Sequence, residues 1–441
     1  MWQRDPGMDP PTTSPTYRAL FGVPGFARLG GATLVARTGA TMQSLVLVLF
    51  VLGRYHSAPL AGLVVFLSLV PGLLVSPIAG ALLDRHRRML LIKLDYAVAA
   101  AALCAIAALD RAGALPVGAL LAVVSVGSLT SPLSNSGTRS LFPVMVPRTL
   151  WERANAVDSG AYVLAAIAGP AVAGVLIGVV GAGGALVATA ALYLVGLVLL
   201  LGMAEPLLER MAMTSLVGDA WAGLRYVVAQ RELRGLAVAT AVSNVAFGIL
   251  SVAMPVLMLG RLHSSDAGVG AMYAVLGVAG LVAGAIAGRM DSERREVWFI
   301  LFGCVVSALS MATLLIAASV GGGVLVVGLG MALFGIGNGP YDIGLFSLRQ
   351  RVTAPAWMGR AFAVSMSLNF IGIPVGSALS GPIVDRSVAA AFAIAVLAAV
   401  AAGVASLLML RPRRRDTSSG DGSGSPSSLQ AGRGGSPMVA E

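Results

Sequence analysis

Gly80-Ala81-Leu82-Leu83-Asp84-Arg85 closes a long apolar run, and Gly284-Ala285-Ile286-Ala287-Gly288-Arg289 closes another about 205 residues later. The echo continues. Arg153-Ala154-Asn155-Ala156-Val157 returns as Arg360-Ala361-Phe362-Ala363-Val364, and Gly169 and Gly174 return as Gly376 and Gly381. A chain that repeats itself at this distance is built from two similar halves. When both halves are apolar, their interface offers a place for a solute near mid-membrane, an arrangement characteristic of secondary transporters.

Composition supports a bilayer as the solvent. The 441 residues are 57% hydrophobic and only 11% charged, and mean hydropathy is +0.86. Runs of about 20 apolar residues are long enough to span, and there are too many of them for one buried core. The first 22 residues carry Arg4, Arg18 and several prolines but no apolar run, so the first span is expected to act as the insertion signal. The formal charge of +10 lies in short connections between apolar runs, which excludes nucleic acid as a partner. The cysteines, Cys104 and Cys304, fall in spans of different halves. No disulfide framework, metal site or cofactor is expected.

Twelve spans are read near 26–52, 58–83, 89–109, 114–139, 154–179, 183–204, 236–260, 267–288, 296–318, 321–347, 359–383 and 387–410. The expected architecture is an all-α membrane protein of two six-helix bundles, 23–204 and 236–410. A disordered tail is expected over 1–22, and over 411–441 a basic and then Ser/Gly-rich tail. The stretch 205–235 between the bundles is more polar. In it Leu216, Ala220, Leu224, Val227 and Val228 recur at helical spacing, which predicts an amphipathic linker helix on the cytoplasmic surface. Arginine and lysine divide about 25 to 4 between the two sides, with Arg37 counted as intramembrane. The positive-inside rule then places both termini in the cytoplasm of a multi-pass plasma-membrane protein.

The segment Gly80–Arg88 resembles the signature loop of the major facilitator superfamily, G-x-x-x-D-R-x-G-R-R/K: Gly80, Asp84, Arg85 and Arg88 match, and Arg87 stands where the pattern has glycine. The resemblance implies the major facilitator fold over residues 24–410, alternating access, and a conformational latch between the halves formed by Gly80, Asp84, Arg85 and Arg88. Arg139, at the end of the fourth span, is the expected partner of Asp84, and the N-terminus of the eleventh span, whose free backbone N–H groups favour an anion, is the alternative. In the second half Gly288 replaces the aspartate, so the latch is expected to be asymmetric. Gly169-Pro170-Ala171-Val172-Ala173-Gly174 resembles the glycine–proline run of the drug/proton antiporters in this superfamily, which implies a helix bend at Gly169, Pro170 and Gly174. The stretch 139–157 is similar to the same loop in macrolide-efflux and siderophore-exporter-like branches.

Depth along the spans selects candidate site residues. Arg37 is the deepest charge, and a mid-membrane cation needs a cavity or a counter-charge. It is a candidate to bind an anionic solute group or to pair with an acidic residue on a neighbouring helix. Gln43, Asn244, Asn338 and Asn369 lie at comparable depth and complete the candidate substrate set. Proton coupling, the usual partner reaction in this family, needs a carboxylate that gains and loses a proton as its surroundings change. Asp342, beside Asn338 and Pro340, is the first candidate, followed by Asp158 and Asp95. The expected function is proton-coupled export, by a monomer in contact with membrane lipid, of a small amphipathic drug-like or metabolite molecule, with drug resistance as a consequence. Sugar or metabolite uptake is the nearest rival, and a non-transporting receptor or scaffold is the rival of another class. An enzyme is disfavoured because His56, His86 and His263 are scattered at span ends and neither an H-E-x-x-H nor a G-x-S-x-G motif occurs.

Overall fold

A computed structural model describes residues 16–203, 205, 216–290, 295–320, 322–354, 357, 364–365 and 367–410. The side chains of Asp84 and Arg85 lie outside the described residues, as do residues 1–15 and 411–441, Arg360 and most of the linker before Leu216. The end of the tail expected to be disordered over 1–22 is instead ordered, because a helix over Tyr17–Phe21 buries Leu20.

The chain is helical throughout the described residues. A short helix α1 (Tyr17–Phe21) leads into α2 (Phe26–Tyr55), α3 (Ala58–Arg85), α4 (Arg88–Arg111), α5 (Val117–Met145) and α6 (Trp151–Leu200). A connecting helix α7 (Leu216–Ala229) follows, then α8 (Arg231–Val256), α9 (Asp266–Ala287), α10 (Glu296–Val320), α11 (Gly323–Val352), α12 (Gly372–Arg386) and α13 (Val388–Met409). Eleven of the described helices are long and apolar enough to cross a membrane. The longest, α6, has 50 residues and is interrupted at Gly181, whose φ of 73° and ψ of 169° are not helical. At about 1.5 Å per residue an unbroken rod of that length would be more than twice as long as the roughly 30 Å hydrocarbon layer is thick. Gly181 is where it divides, because that dihedral region is open in practice only to glycine.

Side-chain caps start three of the long helices. Ser57, Ser265 and Ser387 accept from the backbone N–H groups of Leu60, Gly268 and Ala390 at 3.2, 3.1 and 3.2 Å, satisfying donors that have no partner inside the helix. Large apolar side chains remain exposed along the outer faces: Leu325 88%, Val179 76%, Leu74 75% and Trp298 70%. Such a belt would be a liability in water and is the expected lining toward lipid.

Helices in a bilayer gain little from burying apolar faces and associate through close packing of small residues. In the second half, α8 and α12 meet through Gly248, Gly372 and Gly376, and α9 and α11 through Gly280, Gly284, Gly335 and Gly339; at each of these except Gly280 and Gly284 a Cβ would collide with the facing helix. The halves join in two places. Gly62 of α3 lies against Ser377 and Gly381 of α12, and Gly381 against Ala58 and Pro59. Gly174 of α6 lies against Asp266 and Gly270 of α9, where a Cβ would come within 2.7 Å of Gly270 Cα. Both seams start at the ends of α3 and α9 that begin at Ala58 and Asp266, and the second runs on to Gly277, where a Cβ would collide with Ile167 of α6.

Candidate functional site

Away from those seams, polar side chains are exposed within the spans: Tyr162 on α6 and Asn338 on α11 well inside them, and Asn135, Ser136 and Arg139 on α5 and Asn155 on α6 nearer the span ends. Polar groups do not face lipid at this depth, so these line a cleft between the halves. Tyr162 fixes its position: although 51% exposed, it is within electrostatic reach of Arg37 and Arg139 of the first half and Asp342 of the second.

On the first-half wall, Arg37 of α2 pairs with Asp158 of α6. Arg37 Nη1 lies 2.7 Å from Asp158 Oδ1 and donates to the Asp158 backbone carbonyl at 3.0 Å, with the guanidinium 5.9 Å from the Tyr162 ring centre. The pair is 14% exposed on both sides. One turn on, Thr41 Oγ1 donates to the Ala165 carbonyl at 2.7 Å, and Gly169 packs so closely on Thr41 and Met42 that a Cβ would collide with both. Pro170 sits inside α6, and its carbonyl would lie 2.8 Å from a Cβ on Gly270. The Gly169–Gly174 run thus forms the contact of α6 with α2 on one side and α9 on the other.

On the second-half wall, Asn338 Nδ2 donates to Asp342 Oδ2 at 3.1 Å. Seven residues on, along the same face of α11, Arg349 is fully buried. It interacts electrostatically with Asp342, and its Nη2 donates to the amide oxygen of Asn369, whose amide nitrogen donates to the Ser365 carbonyl at 3.0 Å. Asn244 of α8 donates to the Asn369 backbone carbonyl at 2.7 Å. Asn244 and Asn369 therefore connect α8, α11 and the segment leading into α12, while Asn338 and Asp342 face the cleft.

The repeat orders these contacts. At the offset that takes Gly169 to Gly376, Arg37 falls on Asn244, Asp158 on Ser365 and Tyr162 on Asn369. Each half has a polar knot at corresponding positions: an ion pair in the first half, and in the second an amide pair, Asn244 and Asn369, to which Arg349 of α11 is added. Sequence reading named Arg37 and Asn244 separately and missed this correspondence, although the offset was available. It counted Arg349 only in the charge tally of the arginine-rich side, whereas Arg349 is fully buried: Asn338, Asp342 and Arg349, at spacings of four and seven, share one face of α11.

Gln43 and Asp95 lie elsewhere, inside the first half. Gln43 Oε1 accepts from Tyr193 at 3.0 Å, and Asp95 is 4% exposed. Both border a cavity of about 60 Å³, far below the ~300 Å³ that a drug-sized ligand needs. In the signature loop, Arg88 Nη1 donates to the Ser140 carbonyl at 2.9 Å, tying α4 to the end of α5. A Cβ on Gly80 would meet nothing within 4 Å.

A family model described as Major Facilitator Superfamily matches residues 29–377 and, in a second match, 236–434. The chain belongs to the major facilitator superfamily. Over 401 residues it is 36% identical to an uncharacterized MFS-type transporter, y4rN, of Sinorhizobium fredii, covering 89% of this chain and 96% of that protein. It is 26% identical over 406 residues to the multidrug efflux pump Tap of Mycolicibacterium fortuitum, covering 88% and 96%. The fold is similar to that of the nucleoside transporter NupG, with a TM-score of 0.71 at 12% identity over 88% of this chain and 100% of that one. This superfamily member is a multi-pass membrane transporter of small molecules and not an enzyme.

Proposed function

We propose that this transporter exports a small amphipathic molecule, a drug or a metabolite, in exchange for protons. The observation that carries this reading is the placement of Asp342 and Asn338 across the cleft from Tyr162 and the Arg37–Asp158 pair. A carboxylate at a solute cleft can be held by its amide neighbour, by a proton or by a cationic solute, so proton and solute compete for one group. The efflux activity named for the Tap relative supports the outward direction, as does the glycine–proline run of α6 seated on the α6–α9 seam.

In this reading the break at Gly181 makes twelve crossings, both termini are cytoplasmic, and the protein works as a monomer in the plasma membrane. The bundles 23–204 and 236–410 rock about the cleft. The seams at Gly62 and Gly174 close the outer side, and the cleft opens to the cytoplasm. When it closes, the Gly80–Arg88 loop, with Asp84 and Arg85 and with Arg139 of the first half beside Asp84, latches against the second half. The open space beside Gly80 fits a loop whose partner arrives only in the other state.

The test is transport of ethidium, a fluorescent amphipathic cation, in proteoliposomes with an imposed pH gradient. Asp342→Asn should reduce proton-driven flux by about tenfold or more, with protein yield and orientation unchanged. Full flux in that variant, or wild-type flux indifferent to a protonophore, would overturn the coupling.

A further inference from the structure

The cavity at Asp95 does no work in the exchange just described, yet its chemistry is one-sided. It is enclosed by α2 to α6, and its polar lining is Gln43, Ser68, Asp95, Ser128, Ser131 and Tyr193. Each lining hydroxyl already directs its proton at another acceptor. Ser68 donates to the Val65 carbonyl at 2.8 Å, Ser128 to Ser125 at 2.9 Å, Ser131 to Ser128 at 3.0 Å, and Tyr193 to Gln43 Oε1 at 3.0 Å. What these four groups turn to the cavity is lone pairs. Asp95 adds two more acceptor atoms, and the Gln43 amide nitrogen is the one donor group among the lining side chains.

Asp95 itself is a buried carboxylate. Thr130 and Ser134 of α5 lie beside it, with their hydroxyls donating to the Gly127 and Ser131 carbonyls at 3.2 and 3.3 Å, and the ionisable groups facing it are the phenols of Tyr96 on its own helix and Tyr193 on α6. Among the described residues no arginine or lysine forms an ion pair with it. A carboxylate held in this depth of membrane without a counter-charge is costly. A proton alone would remove the charge but would not require an acceptor-lined space. A volume of about 60 Å³ has room for a small ion and accompanying water, and hard cations seek oxygen ligands of this kind.

We propose that this cavity is a sodium site, with Asp95 as the charged ligand and the Ser68, Ser128 and Ser131 hydroxyl oxygens beside it. It is separate from the Asp342 cleft and does not depend on the exporter reading, because it is tested by binding. The experiment is equilibrium binding of radioactive Na⁺ to the purified full-length protein in choline buffer. Saturable binding is expected, weakened by about tenfold or more in Asp95→Asn. Ala102→Leu, which fills the cavity from its apolar side without touching a charge, should do the same and decides the matter if Asp95→Asn does not fold. Asp342→Asn should bind Na⁺ as the wild type does. Absence of saturable binding, or wild-type affinity in the folded cavity variants, would overturn the site, while ethidium flux measured in parallel reports on export alone.

Discussion

The ion pair between Arg37 and Asp158 is the residue-scale feature with the clearest energetic consequence. Both side chains are 14% exposed, so neither charge is well hydrated, and removing one strands the other. Asp158→Asn should lower stability by on the order of 3 kcal/mol, with part of the loss recovered in Arg37→Gln/Asp158→Asn. Thermal unfolding of the purified single and double variants checks this, and additive losses would mean the two charges act independently. The depth of Arg37 was legible in the sequence because a cation in an apolar run is conspicuous. Its partner was not, since Asp95, Asp158 and Asp342 were all plausible by depth and only helix packing selects among them. Arg349 was hidden for the opposite reason: it sits near Arg351 at a span end, where positive charge is ordinary, and Arg351 indeed stays 45% exposed beside Glu296 at 2.9 Å. Helical phase, rather than position along the chain, separates the two arginines.

At the scale of elements, apolar run length made the spans readable, and the outer starts of α3, α9 and α13 coincide with serine caps that the sequence also carries. The division of α6 was legible only as a short glycine-rich interval between two apolar runs. Its geometry was not, because Gly181, Gly183 and Gly184 are equivalent by composition and only Gly181 takes a positive φ. With φ 73° and ψ 169°, Gly181→Ala should cost about 1–3 kcal/mol, while Gly183→Ala, where a Cβ would meet nothing within 4 Å, should be nearly neutral. A drop in the thermal midpoint for the first variant and none for the second is the expected pattern; equal midpoints would place the turn elsewhere. Which helices touch was not readable either. Glycines recur in most spans, and those that form the two seams, Gly62 and Gly381 on one and Gly174 and Gly270 on the other, are distinguished only by what faces them.

For the whole molecule the decisive property is that the seams and the exposed polar residues lie at different depths. Gly62 packs on Ser377 and Gly174 on Gly270, so helices from opposite halves approach to backbone contact there. Tyr162 and Asn338 are exposed in the same interface, and a polar side chain at that depth can be exposed only to water. The cleft therefore opens toward one face, and in the function proposed above that face, the one with the arginine-rich connections, is the cytoplasmic one. Asn338→Cys, in a background with Cys104→Ser and Cys304→Ala, should react with a membrane-impermeant maleimide in inverted vesicles and be protected in intact cells. Adding a transported cation should slow the reaction, because Asn338 borders Asp342 at 3.1 Å. Labelling in intact cells with protection in inverted vesicles would reverse the assignment of the closed side and, with it, the place of the Gly80–Arg88 loop in the cycle.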